Sequence, residues 1–287
     1  MNKHLAIITV VYENYKVLDD FFKSLEKQKN QSFHLFLVDL SNPLSHSSEN
    51  WNPVIKYSGF RVKHEMTMVR SKNLGYAHGI NTGLKEALKQ RYQYFCAMNN
   101  DTYFKNNFVE SVLSSIFHHP SSIIGGKIYY APGYEYHKSR YVKKDLGKVL
   151  WYAGGVVDWN HALTPHRGVD EIDKGQFNKV EKTGFINGCM MAFDKEVIEK
   201  VGYWDEGYFL YYEDADFCER AKQKRIELWY DPSIVIWHKN AQSTGGSGSK
   251  LHVKYQEKSR LRFGLKYAPL KTKLHLAKNY FMKYLPI

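Results

Sequence analysis

The chain has 287 residues, 43% hydrophobic and 24% charged, with a net charge of +12. That is ample length for a buried core and ordinary globular composition, which excludes a disordered or fibrous chain. From Lys250 onward ten Lys or Arg face a single acid, Glu257, and this net +9 leaves about +3 for the rest; so confined a charge argues for a local anionic partner and against a nucleic-acid binder.

Residues 5–11 are a continuous apolar run, the mark of a buried parallel strand. Residues 17–28 follow with Leu18, Phe21, Phe22 and Leu25 at helical spacing. A second strand over 33–39 ends on Asp39, and 41–52 is loop-like. A third strand is expected within 61–69, then a helix from about Asn73 to Gln90. A fourth strand over 94–98 runs into Asn99-Asn100-Asp101. Alternating strands and helices predict an open α/β sheet, whose ligands sit at the carboxyl ends of the strands.

The middle, 120–178, reads as short strands and long loops. Residues 184–193 read as a strand with a glycine-bearing lead-in, 195–201 as a short helix, and 213–224 as a helix opened by an acidic motif. Two final strands, 226–230 and 234–237, are expected on either side of a turn at Asp231-Pro232. Residues 242–249 are a glycine-serine loop, either a linker or a lid. A helix over about 255–267 and a basic tail complete the chain.

Cys96, Cys189 and Cys218 are few, odd in number and without a CxxC pair, so they read as core thiols of a reducing compartment. The first residues run straight into a strand without a signal peptide, and no stretch approaches the ~20 apolar residues of a membrane span. The expected location is cytoplasmic, with peripheral contact on the inner face of the plasma membrane. The 22 tyrosines suit a cleft for sugars or nucleobases.

The most informative stretch is Tyr211-Tyr212-Glu213-Asp214-Ala215-Asp216-Phe217. Carboxylates packed among aromatics resist joint ionisation, so one of them is a candidate general base; a helix start whose acids complement the dipole is the alternative. Asp101, beside Asn99 and Asn100 at a strand end, suits one hard divalent cation that substrate phosphates complete, or an asparagine-rich turn. His238, at the end of an apolar strand, is a second metal ligand, a phosphate donor or a structural histidine. Asp39 suits a base N–H or a ribose hydroxyl, with Arg70 and Asn73 near the next crossover.

Taken in order, Thr9 to Asn14, Asp39, Asn73-Leu74-Gly75-Tyr76-Ala77, Asn99-Asn100-Asp101-Thr102, 184–193, Gly202-Tyr203-Trp204-Asp205-Glu206, the acidic motif and His238 resemble family 2 glycosyltransferases. Within that family the chain is most similar to the bacterial rhamnosyltransferase-like branch, and the resemblance covers residues 7–263. It implies an α/β GT-A fold: an open, mostly parallel Rossmann-like sheet flanked by helices, with a C-terminal basic helical extension. The implied organisation is a GT-A domain over 1–250, with a nucleotide-binding half to about 102 and an acceptor half beyond, then the extension over 251–287.

The resemblance also implies a metal-dependent, inverting transfer from a nucleotide-diphosphate sugar, dTDP- or UDP-linked, to a glycan or lipid-linked saccharide in surface-polysaccharide assembly. The cation would be Mg2+ or Mn2+, held by Asp101 and His238. Asp214 matches the catalytic base. Thr9, Val11, Tyr12, Asp39, Arg70, Asn73, Asn99 and Asn100 match the nucleotide side. Gly188, Trp204 and Glu213 are expected on the donor-sugar or acceptor side, and Lys254 and Arg260 as a diphosphate clamp. Asn99 replaces the first acid of the metal motif, and Glu13 and Leu40 depart from the usual residues around the base pocket.

The tail from Lys266 mixes lysines with Leu270, Leu274, Leu276, Tyr280 and Phe281, suiting either an anionic leaflet or packing on the body. A dinucleotide oxidoreductase or a nucleotidyltransferase would need a glycine-rich phosphate loop after the first strand, where Tyr12-Glu13-Asn14 stands. The remaining rival is a non-catalytic nucleotide-sugar or carbohydrate-binding module.

Overall fold

The computed structural model of the chain describes residues 4–42, 65–240 and 248–284. The start of the expected third strand, most of the 41–52 loop, most of the glycine-serine loop and the last three residues lie outside the described residues.

The apolar run forms β1 (Leu5–Val11), buried at the centre because helices cover both of its faces. It pairs in parallel with β2 (Phe33–Asp39), which pairs in parallel with β3 (Met66–Arg70). On its other side lies β4 (Tyr94–Met98), also parallel. The register aligns the tips, Val11 with Asp39 and Asp39 with Arg70. The sheet order β3-β2-β1-β4 reverses direction at β1, and the crevice between β1 and β4 is where such sheets take ligands.

Helix α1 (Leu18–Glu26) buries Leu18, Phe21, Phe22 and Leu25, the positions its periodicity marks. Helix α2 (Tyr76–Lys89) carries Gly79 and Gly83 in its interior. Glycine there costs about 1 kcal/mol of propensity, offset by close approach to the sheet. A Cβ on Gly79 would stand 2.7 Å from Val10 Cγ2, and one on Gly83 2.5 Å from Ile8 Cγ2.

Residues 103–119, to which the sequence reading gives no element, complete β5 (Thr102–Phe104) and form α3 (Phe108–His118). The middle supplies β6 (Ile123–Tyr130), β7 (Leu150–Tyr152) and β8 (Glu181–Lys182). The glycine-bearing strand is shorter than expected: β9 (Met190–Asp194) starts after a loop over 184–189. Then come α4 (Lys195–Val201), α5 (Glu213–Gln223) and β10 (Leu228–His238). The sheet continues β4-β9-β6-β10-β5, with β9 antiparallel to β4 and β10 parallel to β6. Parallel and antiparallel pairs thus mix in this half, while the flanking helices keep the α/β class.

The two final strands are one. β10 runs through Asp231-Pro232, and its register against β6 shifts between Asp231 and Val235. The bulge accommodates the proline, which has no N–H for the ladder, so the turn signal is absorbed within one strand.

Helix α6 (Lys250–Tyr267) starts earlier than periodicity suggests and is followed by α7 (Leu270–Tyr284). Helix α6 is fixed to the body: Ser259 Oγ donates to Leu210 O at 2.7 Å and Phe263 stacks on Trp159. No helix among the described residues is long and apolar enough to cross a membrane. The three cysteines are buried and free.

Candidate active site

A cavity of about 740 Å³ opens over the carboxyl tips of β1 and β4. Tyr12 and Leu40 form one side, Asn99, Asn100 and Asp101 the floor, and the start of α5 the opposite side. The first turns of α6 contribute Leu251, His252, Tyr255 and Gln256. That size suits a ligand larger than a metabolite fragment.

Glu213 and Asp214 open α5 and both face the cavity. The backbone before them is forced: Tyr211 and Tyr212 have φ of 67° and 66°, left-handed values that cost non-glycine residues about 1–3 kcal/mol each. Gly188 N–H donates to Asp214 Oδ2 at 2.8 Å, and Ala215 N–H donates to Oδ1 at 2.8 Å. Burial pushes the Asp214 carboxyl up to about 6, while these backbone donors pull it back down. Burial, reinforced by the Asp214 charge, pushes Glu213 well above the usual carboxylate range. Glu213 Oε2 is buried with no hydrogen-bond partner among the described residues. Two adjacent carboxyls with different proton affinities divide naturally into an ionised base and a neutral donor.

Asp216, two residues on, points the other way. It is fully buried and accepts from Arg220 Nε at 2.7 Å, Lys266 Nζ at 2.6 Å and Tyr267 Oη at 2.9 Å. This third carboxylate of the motif ties α5 to α6.

The loop over 187–189 is gripped from several sides. Tyr76 Oη donates to Gly188 O at 3.2 Å, and Asn99 N–H donates to Cys189 O at 2.9 Å. His166 Nδ1 lies 2.9 Å from Trp151 O, so Nδ1 carries the proton, and Nε2 accepts from Asn187 Nδ2 at 3.1 Å. Burial drives His166 down to about 4, which keeps it neutral in this role. His166, Trp151, Tyr76 and Tyr255 all line the cavity, yet none was expected in the site as an individual side chain. The aromatic run ending in Gly154-Gly155 is the one local signal that marks Trp151.

Asp101 and His238 meet because β5 pairs antiparallel with β10, setting Thr102 opposite His238. His238 Nε2 is 3.2 Å from Asp101 Oδ1, both side chains are about 5% exposed, and both face the cavity. His238 Nδ1 has no hydrogen-bond partner among the described residues. One carboxylate and one imidazole suit Mn2+ or Mg2+ only with further oxygen ligands. No cluster of three or more His, Cys, Asp or Glu among the described residues could hold a metal unaided. The donor set therefore fits a cation that a diphosphate completes.

The other expected site residues divide. Tyr12, Asn73, Asn99, Asn100 and Gly188 line the cavity. Asp39 and Arg70 meet at the paired tips of β2 and β3, with Arg70 Nε 4.0 Å from Asp39 Oδ2. The Asp39 carboxylate also accepts from Tyr15 Oη and Ser41 N–H. Thr9 and Val11 are fully buried in β1, and Thr9 Oγ1 donates to Met98 O; they support the floor from below.

Three residues sit elsewhere than expected. The Trp204 ring is 2% exposed and packs between Tyr76 and Phe217, so it has no free face for a sugar. Arg260 donates to His161 O at 2.6 and 2.9 Å, which fixes α6 to the body. Lys254 is exposed and does not line the cavity, since α6 turns residues 251, 252, 255 and 256 inward.

The sheet, the strand-tip cavity and the acid pair are the arrangement expected of a glycosyltransferase fold. The chain belongs to glycosyl transferase family 2, whose profile matches residues 6–202. Among curated proteins it is 32% identical over 54 residues to a low-salt glycan biosynthesis hexosyltransferase of Haloferax volcanii, covering 19% of this chain and 18% of that protein. It is 34% identical over 62 residues to an N-acetylglucosaminyl-diphospho-decaprenol L-rhamnosyltransferase of Mycobacterium tuberculosis, covering 22% and 20%. These aligned stretches thus span about a fifth of each relative.

The crystal structure of GalNAc-T7 with UDP, GalNAc and Mn2+ superposes with a TM-score of 0.69 at 15% identity, covering 99% of this chain and 51% of that one. The mannosyltransferase PcManGT of Pyrobaculum calidifontis, in complex with GDP-Man and Mn2+, gives 0.55 at 13% identity, covering 98% and 70%. The GT-A fold expected from sequence is the fold observed.

Proposed function

We propose that this chain moves a sugar from a nucleotide-diphosphate donor to an acceptor hydroxyl with inversion at the anomeric carbon. The observation that carries the reading is Asp214. Its carboxylate is held by the Gly188 N–H, its proton affinity is raised, and it faces the same cavity as the Asp101–His238 pair. The donor's nucleotide lies toward Tyr12, Asn73 and the β2–β3 tips, with its diphosphate over Asn99, Asn100 and Asp101. Asp214 takes the proton of the acceptor hydroxyl. The oxygen then attacks the anomeric carbon on the face opposite the diphosphate, whose bond to the sugar breaks. A divalent cation bound to Asp101 and His238 would neutralise charge on the departing diphosphate. Glu213, protonated, donates a hydrogen bond to a sugar hydroxyl.

The donor we propose is dTDP- or UDP-linked and the acceptor a glycan or lipid-linked saccharide; a lipid diphosphate in the name of the rhamnosyltransferase relative supports the acceptor, and the UDP complex of a fold neighbour supports a nucleotide-diphosphate donor. The corresponding place of work is the cytoplasmic face of the membrane, in surface-polysaccharide assembly. The test is a transfer assay with a panel of nucleotide sugars and Mn2+, with the anomeric configuration of the product read by NMR. Retention of configuration would refute the Asp214 mechanism, and donor binding without turnover on any acceptor or water would leave a binding module instead.

A further inference from the structure

We infer that α7 carries a membrane-docking stripe in which Leu270, Leu274 and Phe281, rimmed by Lys271, Lys273 and Lys278, lie on an anionic phospholipid leaflet beside the mouth of the cavity. The inference extends the sugar-transfer reading by naming the surface from which a lipid-anchored acceptor reaches the site.

The stripe is distinct from the face α7 uses to pack. Thr272 and Leu276 are buried, and Leu276 fills the space left by Gly264 of α6, where a Cβ would stand 2.2 Å from Leu276 Cδ1. At about 100° per residue, Leu270, Leu274 and Phe281 fall within roughly 40° of one another on the opposite side. They are 72%, 64% and 60% exposed. Single exposed apolar residues are ordinary, but three aligned on a face turned away from the core need an occupant.

The rim selects that occupant. Lys271 and Lys278 flank the stripe on one side and Lys273 on the other by the same angular count. Their stems can lie along the apolar surface while the ammonium groups reach anionic headgroups, each adding roughly fivefold to partitioning. A second copy stacked on this stripe would bring the two lysine rims together, which like-charge repulsion opposes. Acids do not compensate locally, since Glu257 is the one acid from Lys250 onward and it binds Lys283 at 2.7 Å on the packing side.

The stripe also leads to the site. Helix α7 runs back along α6, with Leu276 at Gly264 and Lys283 at Glu257. The C-terminal end of α7 therefore lies against the turn of α6 at Glu257, the residue after Gln256, which lines the cavity. Leu251, 46% exposed, is itself an apolar part of the cavity wall.

The test is flotation of the full chain with vesicles of phosphatidylcholine alone or mixed with phosphatidylglycerol. The chain should float with the anionic vesicles, fail to float with the neutral ones, and be released by high salt. Leu270→Gln, Leu274→Gln and Phe281→Gln together should lower the partition coefficient by about a hundredfold or more, and Lys271→Glu with Lys278→Glu by at least tenfold. In solution, the melting temperature and donor hydrolysis of all variants should match the parent. Equal flotation of the triple variant overturns the inference, as does failure of the parent to float or a dimer in ultracentrifugation that the triple variant abolishes. Absence of turnover on any acceptor or water in the parent would defeat the sugar-transfer reading while leaving the flotation result standing.

Discussion

Asp214 and Asp216 are two residues apart, and the helix sends them to different tasks. A helix turns about 200° over two residues, so the one that faces the cavity leaves the other against α6. The aromatic-flanked acid cluster was legible in the sequence, but the division of labour within it needed the partners: a backbone N–H for Asp214, three cationic or hydroxyl donors for Asp216. If Asp214 is the base, Asp214→Asn lowers kcat by about 10²–10⁴-fold, with donor affinity measured by calorimetry changed little. Its carboxyl sits near 6, and a base works only when ionised. Activity should therefore fall about tenfold per pH unit below 6 and level off above. Glu213, whose proton affinity is raised by burial and by its neighbour, is mimicked by glutamine at neutral pH. Glu213→Gln should retain turnover within about tenfold and leave the acid limb of the pH profile, which Asp214 sets, in place. A larger loss with the limb moved downward would assign Glu213 an ionised role. Trp204 teaches the converse lesson: an indole beside acids in sequence suggested sugar stacking, but packing against Tyr76 and Phe217 buries it.

Strands announced themselves where burial is complete, because a run with no polar face has no other stable environment. Hence 5–11, 33–39 and 94–98 matched their elements to the residue. Periodicity could not see β5, three residues long, nor distinguish a bulge from a turn at Pro232. Both belong to β10's surroundings, and β5 is what brings Asp101 to His238. At this scale Gly79→Ala is the sharper test of packing. Its Cβ would meet the side chain of Val10 at 2.7 Å, so the gain in helix propensity is outweighed and stability should fall by about 1–3 kcal/mol in urea titration. Asp216→Ala strands Arg220 in a largely buried site and unties α6, and should cost about 3 kcal/mol by the same measurement. A neutral result would mean that α6 is held by its other contacts, among them Ser259, Arg260, Arg262 and Phe263.

Across the whole molecule, the cavity is assembled from segments nearly the full chain apart, from Tyr12 to Gln256. On the proposed reading a metal would likewise be shared, with Asp101 and His238 from the protein and the rest of its ligands from a diphosphate. Mn2+ binding followed by electron paramagnetic resonance should be weak for the chain alone and strengthen when UDP is added, and Asp101→Asn should weaken that ternary binding at least tenfold. Tight binding without nucleotide would mean that further ligands complete the site.

The linear chain determined its strands, the strand tips that gather ligand-binding groups, its family and the carboxylate cluster, because apolar runs, glycine positions and ordered motifs are local records of backbone constraint. Only the folded chain decided which carboxylate faces the cavity, which aromatic residues wall it, and that the first turns of α6 contribute one side of it. Those outcomes depend on contacts between residues 15 to 112 positions apart, and no local pattern encodes the direction in which a side chain finally points.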